Sequence, residues 1–405
     1  MSISTIGQSL KESATLRLNE IASVLKAKGE AVIHLGGGEP KAKAPLDALT
    51  AAAAMLNTGE IRYTPADGLP IMKQAVIRYT EEFYNRKVLS DNVLISAGGK
   101  QALMMAFIAI LNPQDEVLYP APYWVSYSEM VRLCHAVPVP VLAEDGSFEP
   151  NIRDFEKNIT SYTKAIIINS PNNPSGVHYS KQLIRDIVEL CEKRGIYLLM
   201  DDLYHRLLFD GLKPHNPYDY STDFTDNSKL IILNGVSKMY AMTGFRIGWA
   251  VGNTKVIKAM RDIQGHMNSC PAALLQVAAA AAINGVQTGV ETLRMTLENN
   301  RNVMINQLKT FNGVRVTKPN GTYYCFADFS AYEKDSRKLS EFLLEKVRVV
   351  TVPGIEFGMD GYLRLSYCGG IKEMLEGLDR IKWALDPTSP NELFIGERKL
   401  VRDWV

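Results

Sequence analysis

The chain has no C-x-x-C pair: its five cysteines, Cys134, Cys191, Cys270, Cys325 and Cys368, are scattered. Neither a zinc cage nor a disulfide framework is therefore expected, no metal is called for, and a reducing cytoplasm suits the free thiols. No charge of one sign dominates, because 45 Lys plus Arg stand against 44 Asp plus Glu. That balance removes the long-range field on which nucleic-acid or anionic-membrane binding depends. The N-terminal run MSISTIGQSLKESATLRLNE has no apolar stretch for a signal peptide. The most apolar later run, Pro271 to Ile283, is broken by Gln276 and is too short to span a bilayer. Repeats and low-complexity tracts are missing, as is the G-x-G-x-x-G run that a nicotinamide dehydrogenase needs after its first strand. A soluble, cytoplasmic protein is expected, with small molecules and a second copy of itself as partners, no nucleic acid and no membrane.

What is present is length and apolar content. At 405 residues and 46% hydrophobic, the chain exceeds one compact core, and two domains are expected. Periodicity predicts helices over residues 20–28 and 46–56, with a short strand and glycine turn in AVIHLGGGEP between them. From Val93, VLISAGGKQALMMAFIAIL reads as strand, glycine turn and helix, followed by the strand EVLYP. Further strands are expected at 165–169, 196–200 and 230–233, with a helix at 181–193 between them. Such alternation implies an α/β fold whose mostly parallel sheet is covered on both faces. From about Leu293 the pattern changes to a long charged helix, then YYCFADFS, a helix at 336–346, strands and a closing helix at 371–385, which reads as a second, α+β domain. The stretch after Asp386 carries no legible role.

Several runs carry chemistry. In NGVSKMYAMTGFRIGW, Lys238 is followed eight residues later by Arg246. An isolated lysine is a solvated charge, but an amine that can condense with an aldehyde, together with a planar arginine fork that can grip a phosphate, forms a functional pair. DDLYHRLL places Asp201 and Tyr204 behind the strand IYLLM, where a lone Asp would be a helix cap. NSPNNPSG would alone be an Asn-Pro turn around Asn173. SAGGKQAL puts Gly98, Gly99 and Lys100 at a helix start, where backbone N–H groups can receive a phosphate; it is not a Walker loop, since no Ser or Thr follows the lysine. Trp124 in PYWVSY, Gly38 in GGGEP, Tyr63 in IRYTPADGLP and Arg364 in GYLRLSY complete the set. An arginine within an apolar strand is costly to bury without an acid, which favours a ligand role for Arg364.

In this order, from about Ser13 to Leu385, the runs resemble the class I and II pyridoxal-phosphate aminotransferases of fold type I, and within them the bacterial aspartate branch, some members of which accept prephenate. The resemblance implies pyridoxal 5'-phosphate as cofactor and Lys238 as the catalytic lysine that holds it. It implies Asp201 on the pyridine nitrogen, Tyr204 and Asn173 on the ring oxygen, Trp124 on the ring face, and Gly98, Gly99, Lys100 and Arg246 around the phosphate. Tyr63 would reach the phosphate of a neighbouring subunit, so a homodimer is implied. Arg364, Gly38, Asn173 and Trp124 would meet the substrate, and Lys100 its distal carboxylate. The implied architecture is an N-terminal arm over residues 1–45, a large cofactor domain over 46–292 and a small domain over 293–405, with both chain ends contributing to the small domain.

The implied reaction moves the amino group of an amino acid, aspartate or glutamate, to a 2-oxo acid by a ping-pong sequence. Aromatic or neutral donors, prephenate, and a β-elimination remain open on the same cofactor motifs, whereas a non-catalytic binding protein has no need of Lys238, Asp201 and Arg364 together. Three positions depart from the family pattern: Asp202 replaces the usual Glu, Gly235 replaces a phosphate-binding serine, and KAKAP follows GEP. The serine's loss is expected to loosen the cofactor, and Lys41 and Lys43 would draw acidic substrates only if they lined the entrance rather than a solvated loop.

Overall fold

The apolar runs around Ile166, Leu199 and Ile232 are continuous rather than alternating because both faces of their sheet are covered, and all three side chains are fully buried. The structure is a computed structural model that describes residues 3–10, 14–221, 227–395 and 398–404; Ser13, where the family resemblance begins, lies outside them. After β1 (Ile33–His34) come β2 (Val93–Ser96), β3 (Glu116–Pro120), β4 (Val137–Val141), β5 (Thr163–Asn169), β6 (Tyr197–Asp201), β7 (Leu230–Gly235) and β8 (Gly248–Val251). Strands β2 to β8 form one sheet in the order β2-β8-β7-β6-β5-β3-β4. Five of them run parallel, as expected of an α/β fold. Strand β8 is reversed against both its neighbours, β2 and β7.

Helix ends follow local chemistry. Ser180 Oγ accepts from the Leu183 N–H to start helix Lys181–Arg194, and Gly195 ends it at φ +70°. The helix expected at 20–28 begins earlier and spans Ala14–Ala27. Helix Pro70–Tyr84, opened by a proline in its first turn, went unread in the sequence. The Pro271 to Ile283 run becomes helix Ala273–Asn284, and its odd polar residue has a purpose. Buried Gln276 donates to Pro271 O and Thr64 Oγ1 and accepts from the Leu69 N–H, tying the 64–69 loop to the helix. Among the described residues no single helix is long and apolar enough to cross a membrane.

Beyond helix Thr288–Leu308 lie β9 (Arg315–Val316), β10 (Tyr324–Asp328), β11 (Val349–Val350), β12 (Val352–Pro353) and β13 (Tyr362–Ser366), with helices Ser336–Val347 and Ile371–Leu385. Strands β12-β13-β10-β9 make an antiparallel sheet, and β1 pairs in parallel with β11, Ile33 opposite Val349, so the chain's beginning packs with its end. The tail unread in the sequence forms a hairpin, β14 (Glu392–Ile395) and β15 (Arg398–Val401). Behind it, the Arg402 guanidinium donates to the carbonyls of Trp383, Asp386 and Pro387, satisfying the C-terminal end of helix Ile371–Leu385.

Candidate active site

Parallel strands deliver their carboxyl ends to one edge of a sheet, and loops leaving that edge carry the candidate residues. Gly98 follows β2, Trp124 follows β3, Asn173 follows β5, Asp201 ends β6, and Lys238 follows β7. Reversed β8 begins at this edge, so Arg246, two residues before it, arrives beside Lys238 with Gly235 and Gly248 paired in register. These loops and the small sheet enclose a cavity of about 580 Å³ lined by Gly38, Gly99, Lys100, Trp124, Asn173, Asp201, Tyr204, Lys238, Arg246 and Arg364.

At the base of the cavity, buried Asp201 accepts from Tyr127 Oη through Oδ2 at 2.6 Å, while its Oδ1 has no hydrogen-bond partner. Burial pushes the carboxyl up to about 6, against the opposing pull of the Tyr127 hydroxyl and the Lys238 charge. Asn169 holds the strand end by donating to Asp201 O at 2.8 Å and presents Oδ1 to the Asn173 N–H. Burial raises the phenol of Tyr204 well above its ordinary value, so it stays protonated.

On one wall the Gly98 backbone turns at φ +90°, and a Cβ there would lie 2.5 Å from Arg246 Nη2. Only glycine lets the guanidinium approach the start of helix Gly99–Ile110 so closely. Gly98 is thus in the wall without lining the cavity. Lys100 Nζ stands 4.9 Å from the centroid of the Trp124 ring. Partial desolvation, then the charges of Arg246 and Lys238, lower its proton affinity.

Arg364, which also lines the cavity, is 2% exposed. It donates through Nη1 to Asn173 Oδ1 and through Nη2 to Gly36 O, both at 3.0 Å, and its Nε has no partner. No carboxylate pairs with it among the described residues. Lys238 Nζ donates to Gly38 O at 2.8 Å, and the Tyr323 hydroxyl donates to the same oxygen at 2.7 Å.

The positions that depart from the family pattern lie as follows. Lys41 does not line this cavity; it pairs with Glu373 at 2.6 Å on the surface, and Lys43 lines a separate cavity of about 280 Å³. Gly235 faces the reversed strand, where a Cβ would lie 3.0 Å from Ile247 O. Besides Tyr204, the cavity is lined by the hydroxyls of Ser126, Ser237, Thr243 and Tyr324 and by Asn19, Glu39, Asn169 and Leu203, none of them singled out by a sequence motif. Ser237 could have been found, since it directly precedes Lys238. Tyr63 is 90% exposed and outside the cavity of its own chain.

The sequence pattern of "Aminotransferase class I and II" matches residues 30–381. The aspartate aminotransferase of Streptomyces avermitilis is 38% identical over 385 residues, covering 92% of this chain and 94% of that protein. A probable aspartate/prephenate aminotransferase of Aquifex aeolicus is 36% identical, covering 93% and 97%. Among solved structures, the Rhizobium meliloti aspartate aminotransferase superposes with a TM-score of 0.90 at 32% identity, covering 95% of this chain and 99% of that one. The Thermus thermophilus aspartate aminotransferase with maleate gives 0.90 at 33% identity, covering 94% and 99%.

Proposed function

This chain belongs to the class I and II aminotransferases, and we propose that it uses pyridoxal 5'-phosphate held by Lys238 to move the amino group of aspartate or glutamate to a 2-oxo acid. The observation that carries the substrate reading is Arg364, a buried guanidinium with no acid partner among the described residues. Such a charge is expensive to bury unless an anion arrives, and the α-carboxylate of an amino acid is that anion. Lys100, which also lines the cavity, supplies a second cation for a distal carboxylate. The dicarboxylate maleate in the Thermus neighbour is in keeping with two such groups.

The residues fit the cofactor. Asp201 Oδ1 is buried and unpartnered, which suits a pyridine N–H. The Gly98–Gly99 turn opens a helix N-terminus beside Arg246, which suits a phosphate. In this reading Trp124 covers the ring face, Asn173 and Tyr204 meet the ring oxygen, and Ser237 and Thr243 add donors near the phosphate. Gly38 approaches the substrate carboxylate.

When bound, the cofactor supplies an aldehyde and an electron-accepting ring. Ionised Asp201 keeps the ring nitrogen protonated. Arg364 and Asn173 orient the donor so that its Cα–H faces Lys238. Lys238 Nζ, once free, would take the Cα proton as a base and return it as an acid, and water would then release the 2-oxo acid while the amino group stays with the cofactor. A second 2-oxo acid then retraces the path, giving ping-pong kinetics. Prephenate, itself a 2-oxo acid with a second carboxylate, suits the same two cations, and the Aquifex relative is named for it.

We further infer a large cofactor domain over residues 46–292, a small domain from 1–45 and 293–405, and a cytoplasmic homodimer. Support for the dimer comes from exposed apolar side chains at Leu46, Leu56, Ile61, Tyr63, Ile71 and Val286. The test of the whole reading is borohydride reduction of the holoenzyme followed by peptide mapping. The label is expected on Lys238, and Lys238→Ala should fold yet lose both the label and turnover; a label on any other lysine overturns the assignment.

A further inference from the structure

We propose that the Tyr323 hydroxyl is a positioning group for Lys238, fixing the Gly38 carbonyl as the place where the lysine amine rests whenever it is free. The inference rests on Lys238 being the cofactor lysine. Its ground is one oxygen with two donors: Gly38 O accepts from Lys238 Nζ at 2.8 Å and from Tyr323 Oη at 2.7 Å. A carbonyl has two lone pairs, so both bonds form at once.

The hydroxyl is well placed to hold that carbonyl still. Tyr323 is fully buried, with its ring 4.6 Å from that of Tyr324 and 5.7 Å from that of Tyr204. Burial raises its phenol well above the ordinary value, so it remains a donor throughout the working range. The 36–38 segment has no side chains of its own to anchor it. Its other ties are both on Gly36, whose N–H donates to His34 Nδ1 and whose carbonyl accepts from Arg364, a residue that must also serve the substrate. Of the two donors on Gly38 O, the lysine leaves its bond each time it joins the cofactor, while the tyrosine stays. The hydroxyl therefore keeps the resting place in position for the lysine's return.

The arrangement predicts where the loss falls. Of the groups that meet the substrate, the side chains of Arg364, Asn173, Lys100 and Trp124 make no bond to the Tyr323 hydroxyl, and Gly38 is held by it through the carbonyl alone. Steps in which Lys238 is free, namely proton transfer and re-attachment, depend on the amine being aimed. Tyr323→Phe keeps the buried ring and removes only the oxygen.

The experiment measures three quantities on wild type and Tyr323→Phe. The first is the rate at which apoenzyme, given saturating pyridoxal phosphate, regains the visible absorbance of the lysine-linked form; the second is the split between kcat and KM for aspartate; the third is Tm. Loss of one hydrogen bond should slow re-attachment and lower kcat by about 3- to 10-fold, with KM within about twofold and Tm nearly unchanged. An unchanged re-attachment rate overturns the proposal, and so does a fall in Tm with KM and kcat shifting together, which marks a merely structural role. Borohydride mapping on the wild type separates the two readings: a label elsewhere than Lys238 sinks the lysine assignment, whereas a label on Lys238 with an unaffected variant sinks only the role of Tyr323.

Discussion

Tyr127 donates its phenolic hydrogen to Asp201 Oδ2 at 2.6 Å, leaving Oδ1 as the open face of a buried carboxyl. Burial holds that carboxyl at about 6, and the hydroxyl pulls it down. Tyr127→Phe removes the downward pull, so the carboxyl rises further and a larger share is protonated near neutrality. The acid limb of the kcat/KM profile should move to higher pH, which a pH series from 5 to 8 reads directly. Asp201→Ala removes the acid altogether and should lower kcat on the order of 10²- to 10³-fold while KM changes a few-fold. A variant with wild-type kcat would refute the pairing of Asp201 with the ring nitrogen.

Asp202, behind it, accepts from Tyr84 Oη at 2.8 Å and is pushed up to about 7, first by burial. Between about pH 4 and 7 the folded protein holds a proton that the unfolded chain has released. This contribution to stability is therefore complete below the ordinary carboxylate value and is lost as pH rises through about 7. Asp202→Asn cannot titrate and can still accept from Tyr84. Its Tm relative to wild type should improve from pH 5 to pH 8, by on the order of a few degrees. Calorimetry at the two pH values decides; a flat difference removes Asp202 as the cause.

Lys100 is the cation that can tell aspartate from alanine, since Arg364 serves a carboxylate that every amino acid carries. A charge-assisted hydrogen bond to the distal carboxylate contributes roughly 1.5 to 3 kcal/mol, or about tenfold to a hundredfold. Lys100→Met should reduce kcat/KM for aspartate by that factor and leave alanine and phenylalanine nearly alone. Equal losses for all three would place the lysine on the phosphate instead.

Tyr63 lies outside the cavity of its own chain, and in the proposed dimer it would meet the second subunit. The active protein should sediment as a dimer, and Tyr63→Phe should weaken cofactor binding by about tenfold. Active monomer at working concentration would contradict this.

The parallel core was legible because burial on both faces writes itself as unbroken apolar runs, and strand EVLYP and helix Ile371–Leu385 fall on the expected residues. The reversal of β8 was not legible, since a four-residue buried strand reads the same in either direction. Neither was the pairing of β14 with β15, since strands of four residues are too short to show a period. Of the site, residues within dense motifs were found, and the cavity gathers all of them except Gly98, which packs behind Arg246, and Tyr63. Tyr323 escaped notice because its work is done by a hydroxyl reaching the 36–38 segment across nearly the whole chain, a meeting that no local spacing announces.

The reversed strand makes a gauge. Lys238 and Arg246 lie on the single connection between β7 and β8, whose ends are fixed by the Gly235 and Gly248 pairing. In the proposed reading one residue marks where the aldehyde must be and the other where the phosphate must be. Their separation is then ruled by one turn of chain rather than by the fit between distant elements.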